Sequence, residues 1–128
     1  MKSLKTEKAK LPATSKAAQF NFYQDVWSIT KKIPRGRVTS YGAIANYLGA
    51  KSSARLVGWA LNMSHHSGEK VPAHRVVNRN GMLSGKMHFA TPTLMEELLL
   101  REKTLVQNNK VMDFEKKFWD PMIELSLG

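Results

Sequence analysis

The stretch RVTSYGAIANYLGAKSSARLVGWALNM, residues 37–63, decides the fold. Arg37 to Thr39 reads as a short extended segment, after which Ser40 stands where a small polar side chain caps a helix carrying Ile44, Tyr47 and Leu48. Gly49 ends that helix. Ser52 or Ser53 then caps ARLVGWALNM, in which Leu56, Trp59, Ala60 and Met63 share one face. Two helices joined by a tight Gly-containing turn, the second opened by Ser, make a helix-turn-helix pattern.

Working outward, Phe22, Val26, Ile29 and Ile33 recur at helical spacing until Pro34 and Gly36 stop them, which predicts a first helix of about three turns. Downstream of the polar loop MSHHSGEK, Val76 and Val77 precede NRNG and MLSG returns, so the Asn-Gly signal predicts a hairpin that serves as a wing. Residues 91–107, TPTLMEELLLREKTLVQ, read as one long helix with Pro92 in its first turn and Thr93 to Glu96 as a capping box. MDFEKKFWDPMIEL predicts a short helix with Phe114 and Phe118 one turn apart, closed at Asp120-Pro121. The expected fold is mainly α, a winged helix-turn-helix domain with a small β-hairpin wing. That domain is assigned residues 20–107, between a basic, disordered arm (1–19) and a C-terminal extension with a short helix (108–128).

At 128 residues and 42% hydrophobic content, the chain supports one domain with a real core and is too small for two domains. It contains no cysteine, which excludes disulfides, thiolate zinc sites and a cysteine nucleophile. Formal net charge is +10, and residues 26–95 hold ten Lys or Arg against the single acid Glu69. So one-sided a block points to a polyanion partner, with ordinary solubilising charge as the alternative. No run approaches the ~18 apolar residues of a membrane span, and the first residues lack an apolar signal core. The expectation is a cytoplasmic monomer, nucleoid-associated if bacterial, without membrane partners. His65, His66, His74 and His88 fall at no recognisable metal spacing, so neither metal nor cofactor is expected.

Arg55 lies in the first turn of the third helix, where a recognition helix aims its side chains at DNA; otherwise it is a solvated charge. Tyr41 is either a functional aromatic or part of the core. His74 follows Pro72-Ala73 at the entrance to a strand and is either structural or part of a site. Glu102 continues the apolar stripe of Met95, Leu98, Leu99 and Val106, so it needs a partner such as His74 or an Arg unless it reaches water.

Taken together, IPRGRVTSYGAIANYLGAKSSARLVGWAL, VPAHRVVNRNGMLSG and LLLRE resemble the DNA-binding domain of the alkylguanine-DNA alkyltransferases, and most of all their non-enzymatic relatives, the alkyltransferase-like proteins. The likeness runs from about Phe22 to Lys103. The family's Pro-Cys-His-Arg motif here reads Pro72-Ala73-His74-Arg75. By that resemblance Arg55 is the finger that fills the gap left by a flipped nucleotide, and Tyr41 pushes on the neighbouring phosphate. His74 and Glu102 match the pair that activates the cysteine in the enzymes. The resemblance also implies a lesion pocket of Tyr41, Ala73, Val76, Val77 and Lys86, the last where relatives often carry an alkyl-sensing Arg. Further DNA contacts are expected from Arg35, Arg37, Ser40, Lys51, Ser53, Arg75 and Arg79. Ser64 replaces a hinge Asn, and the loop to Ala73 is one residue longer than in the enzymes.

The implied function is binding of duplex DNA in the minor groove and recognition of flipped O6-alkylguanine without alkyl transfer, marking it for nucleotide excision repair proteins. Two other readings remain at this point. One is a Cys-to-Ala form of an active methylated-DNA-cysteine methyltransferase; the other is a winged-helix regulator without lesion specificity.

Overall fold

In the computed structural model, the described residues are 16–50 and 53–126. Residues 1–15 of the expected arm, together with Lys51 and Ser52, lie outside them. Helix α1 (Lys16–Lys32) starts well before Phe22, because Ala17 and Ala18 favour helix and nothing interrupts the run. Its buried residues are Val26, Trp27, Ile29 and Thr30; the Trp27 indole N–H donates to the Ala60 carbonyl at 2.7 Å and ties α1 to the third helix.

Strand β1 (Thr39–Ser40) leads into α2 (Tyr41–Tyr47), where the Ser40 hydroxyl accepts the Ala43 N–H at 3.1 Å as the cap reading requires. Helix α3 (Ala54–Ser64) follows, with Ser53 at its N-cap but no side-chain capping bond. Its buried face is Val57, Ala60, Leu61 and Ser64. Of the four apolar residues read on one face only Ala60 is buried; Leu56 is half-buried, and Trp59 and Met63 are about half exposed, at 46% and 49%. Apolar residues occupy both sides of this helix, so periodicity alone does not select the inward side.

Strand β2 (Val76–Val77) departs from the predicted hairpin. It pairs in parallel with β1, Thr39 opposite Val76 and Ser40 opposite Val77. The NRNG turn does form, with Asn78 N–H donating to the Met82 carbonyl and Asn78 Oδ1 accepting from Asn80 and Met82 N–H. The antiparallel hairpin of the molecule is β3 (Val106–Gln107) with β4 (Lys110–Val111), turning on Asn108 and Asn109, both at positive φ. Asn tolerates that left-handed conformation, which two-residue hairpin loops require. The hairpin expected at Val76–Gly85 is therefore replaced by one at 106–111, whose first strand comes from the end of the expected helix and whose second comes from the expected C-terminal extension.

That helix, α4 (Leu94–Arg101), is shorter than expected at both ends. The Thr93 hydroxyl donates to Glu97 Oε2 at 2.7 Å, so the expected Thr93–Glu96 box does not form. Lys103 at φ 64 then breaks the helix, and the Thr104 N–H returns to the Leu99 carbonyl. Two short helices close the chain, α5 (Phe114–Lys117) and α6 (Pro121–Glu124). Asp120-Pro121 opens α6 where a stop was expected: the Asp120 carboxylate accepts the Met122 N–H, and Pro fits a first turn that has no intrahelical partner for its nitrogen.

Two cores result. One gathers α1, α2 and α3 around Val26, Ile33, Ile44 and Val57, with Ala73, Val76 and Trp119. The other joins Val38, Val77, Leu83, Met95, Leu99 and Val111. Successive side chains of β2 point to opposite faces, so Val76 serves one core and Val77 the other. The β1–β2 seam therefore fixes the Ala73–Arg75 turn relative to α2. Trp119 N–H bonds the Val38 carbonyl at 2.7 Å, and β3–β4 straddles position 107, so residues after 107 are built into the same body. Among the described residues no helix is long and apolar enough to cross a membrane, and no three His, Cys, Asp or Glu are grouped to hold a metal ion. The mainly helical expectation with small sheets holds.

Candidate nucleic-acid interface

Helices α2 and α3 pack against each other and present one continuous outer face. Arg55 is exposed in the first turn of α3, and neither helix contains an acid. Ser40 is buried under its capping bond, while Ser53 is half-buried at the mouth of α3. Tyr41 opens α2 and is half-buried. Its ring runs beside Gly58 of α3, where an added Cβ would touch Cδ1 and Cε1 at 4.0 Å. Its hydroxyl reaches the 84–85 loop, and a Cβ at Gly85 would come within 2.7 Å of it, closer than real contacts allow. Burial pushes the Tyr41 phenol up from its ordinary value, against a hydrogen bond with Ser84. The ring is thereby uncharged, and it joins α2, α3 and the loop that carries Lys86.

Behind this face, Ala73, His74 and Arg75 form a single 3-10 turn feeding β2, with Ala73 and His74 buried. His74 Nε2 meets Glu102 Oε2 at 2.9 Å. Arg75 grips the same carboxylate with two bonds, Nε to Oε1 at 3.0 Å and Nη2 to Oε2 at 2.7 Å, and its Nη1 donates to the Ile33 carbonyl at 2.9 Å. Arg35 stands 3.6 Å from Oε2 and remains largely exposed. Burial alone would raise the Glu102 carboxyl, but the Arg75 and His74 hydrogen bonds outweigh it and bring its pKa down to about 2. Burial also lowers His74, opposed by its bond to Glu102, so at neutral pH the ring is uncharged and donates its N–H to the carboxylate. The pairing expected of Glu102 is present with both candidate partners at once.

The remaining predicted residues divide. Arg37 donates to the Lys117 and Phe118 carbonyls at 3.0 and 2.6 Å, and Arg75 is engaged as above, so both guanidinium groups hold the chain together. Val76 and Val77 are fully buried in the cores, backbone included, so the expected pocket lining is core instead. Arg79 is exposed at the NRNG turn, and Lys51 lies outside the described residues. Lys86 Nζ donates to Asn109 Oδ1 at 2.8 Å, and the Asn109 carbonyl accepts the Leu83 N–H, so the β3–β4 turn clamps the Lys86 loop. A cleft of about 650 Å³ lies beside Ser40, lined by Arg79, Asn80, Lys110, Phe114, Glu115 and Phe118. Asn109 and Lys110 were not anticipated. Their signal was legible in VQNNKV, an apolar–polar pattern about an Asn pair, but it was split between the helix reading, which ended at Gln107, and the C-terminal extension.

As a chemical device the arrangement is a buried acid–base pair with no nucleophile next to it, set behind a cationic helix face. The family model of the 6-O-methylguanine DNA methyltransferase DNA binding domain matches residues 21–104. The DNA base-flipping protein of Escherichia coli (strain K12) is 36% identical over 114 residues, covering 87% of this chain and 84% of that protein. Alkyltransferase-like protein 1 of Schizosaccharomyces pombe is 47% identical over 63 residues, or 49% of this chain and 57% of that one. The crystal structure of S. pombe Atl1 in complex with damaged DNA containing O6-carboxymethylguanine superposes with a TM-score of 0.69 at 32% identity, covering 80% of this chain and 97% of that chain. The chain therefore belongs to the family defined by that DNA-binding domain, on its alkyltransferase-like branch.

Proposed function

We propose that this protein binds duplex DNA through α3 in the minor groove, holds an everted O6-alkylguanine without removing its alkyl group, and thereby marks the lesion for nucleotide excision repair. The observation that carries the reading is Ala73: a buried methyl side chain in the turn that the enzymes give to cysteine, beside an intact His74–Glu102 pair. Alkyl transfer by the family's route is displacement at carbon by a thiolate, and this chain has no sulfur nucleophile to offer. Eversion still has a driving force, because an alkylated guanine pairs poorly and costs less to extrude, by about a few kcal/mol.

In this reading Arg55 fills the vacated stack, Tyr41 presses on the adjoining phosphate, and the base sits by Tyr41, Ala73 and Lys86. Arg35, Arg79, Lys51 and the N-termini near Ser40 and Ser53 meet phosphates, which makes affinity fall steeply with salt. The relatives named for base flipping and the Atl1 complex with damaged DNA support it. The test is the affinity for one duplex with and without a single O6-methylguanine, at several salt concentrations, for wild type and Arg55→Ala. Tighter binding of the damaged duplex, weakened by the substitution, with the methyl group still on the DNA by mass spectrometry, is the expected result. Equal affinities remove lesion recognition, and loss of the methyl group from DNA removes the non-enzymatic reading.

A further inference from the structure

Helix α3 exposes two large apolar side chains that its own packing does not use. Val57, Ala60, Leu61 and Ser64 satisfy the cores, while Trp59 and Met63 face outward at 46% and 49% exposure. Trp59 lies one turn beyond Arg55 on the same side and next to Gly58, against which the Tyr41 ring rests. The molecule's other two tryptophans, Trp27 and Trp119, are in the core at 7% and 4%. The Trp27 indole N–H is bonded to a carbonyl, whereas that of Trp59 has no hydrogen-bond partner among the described residues.

We infer that Trp59 is a further DNA-contacting residue, an apolar wedge that packs into the minor groove beside the everted nucleotide, with Met63 extending it. The inference rests on the duplex-binding reading. The occupant follows from the face itself: a cation, a large aromatic and a thioether in line, on a helix without a single acid, match a polyanion whose groove has apolar sugar walls. The minor-groove edge of every base pair carries acceptors, and a free indole N–H is a donor only. At 1.5 Å per residue Trp59 sits about 6 Å along the axis from Arg55, roughly two base-pair steps away. It therefore acts on flanking pairs and contributes to damaged and undamaged duplex alike.

Titration of wild type with duplex, followed by tryptophan emission, reads the contact directly, since the two core tryptophans are shielded. DNA is expected to quench or shift the emission, and Trp59→Phe to abolish that change while keeping most of the affinity. Trp59→Ala should weaken damaged and undamaged duplexes by the same factor, about tenfold, with the salt slope unaltered. Its melting temperature should match wild type, because the side chain supports no core. Emission indifferent to DNA, together with wild-type affinity of Trp59→Ala, overturns the inference and leaves the face to a protein partner. A lesion ratio of one in wild type, with the emission change retained, refutes lesion recognition but not the wedge.

Discussion

The Glu102 cluster and the exposed side of α3 are built in opposite ways. Around Glu102 the donors are committed: His74 and Arg75 donate to its carboxylate, and the Ile33 carbonyl accepts the remaining Arg75 arm, closing a network that water hardly reaches. On α3, Arg55 and Trp59 are exposed and the helix start lacks a side-chain cap. A buried ion network costs desolvation and returns it only if complete, so it behaves as scaffold; an open cationic face is stable alone and gains from a ligand. With Ala73 in the turn, the cluster that would activate a thiol is left with a structural task, and the proposed function moves to the open face.

The sharpest way to break that contrast is Glu102→Ala. It strands Arg75 in a nearly buried site, and a loss of about 3 kcal/mol in stability is expected by denaturant melt, with affinity for DNA kept in the fraction that folds. If stability is unchanged and lesion binding disappears, the cluster is functional and the contrast fails. Acid titrates the same network. Both His74 and Glu102 have folded pKa values below their unfolded ones, so each stabilises the fold above its unfolded value and loses that contribution as pH falls. Melts should weaken below about pH 6.5 through His74, and again between about 4.5 and 2 through Glu102, the second step vanishing in Glu102→Gln.

Arg55→Ala probes the other side. It should cost about 2 kcal/mol of affinity for damaged duplex, measured by anisotropy, while stability stays within about 0.5 kcal/mol of wild type. A smaller effect, roughly 1 kcal/mol, is expected where the two sides meet. Gly85→Ala drives a Cβ into the Tyr41 hydroxyl, and lesion preference should fall, with Tyr41→Phe in the same chain relieving part of the clash. Smallest of all, Asn109→Ala frees Lys86 and should lower the lesion ratio by about 0.5 kcal/mol, leaving binding to undamaged duplex as it was.

Much of the scaffold was readable from local signals: the α1 repeat at Val26, Ile29 and Ile33, the Ser40 cap and the α2–α3 pair. The need of Glu102 for a partner was readable too, because a carboxylate on an apolar stripe has few alternatives. What misled were residues whose neighbours are distant in sequence. Arg37 and Arg75 looked like DNA-facing cations, yet one bonds carbonyls about eighty positions away and the other a carboxylate twenty-seven positions away. Trp59 and Met63 recur at helical spacing with the buried Ala60, yet they are outward.

By itself, the order of residues determined the first three helices, that the chain is cationic along its middle, and that no thiol is present to accept an alkyl group; each of these depends on neighbours within a few positions or on composition. Only the tertiary structure decided which side of α3 is buried, that Val76–Val77 pairs with Thr39–Ser40, and which arginines remain free. Strand partners and charge pairs are set by three-dimensional proximity and desolvation, and neither leaves a period in the sequence.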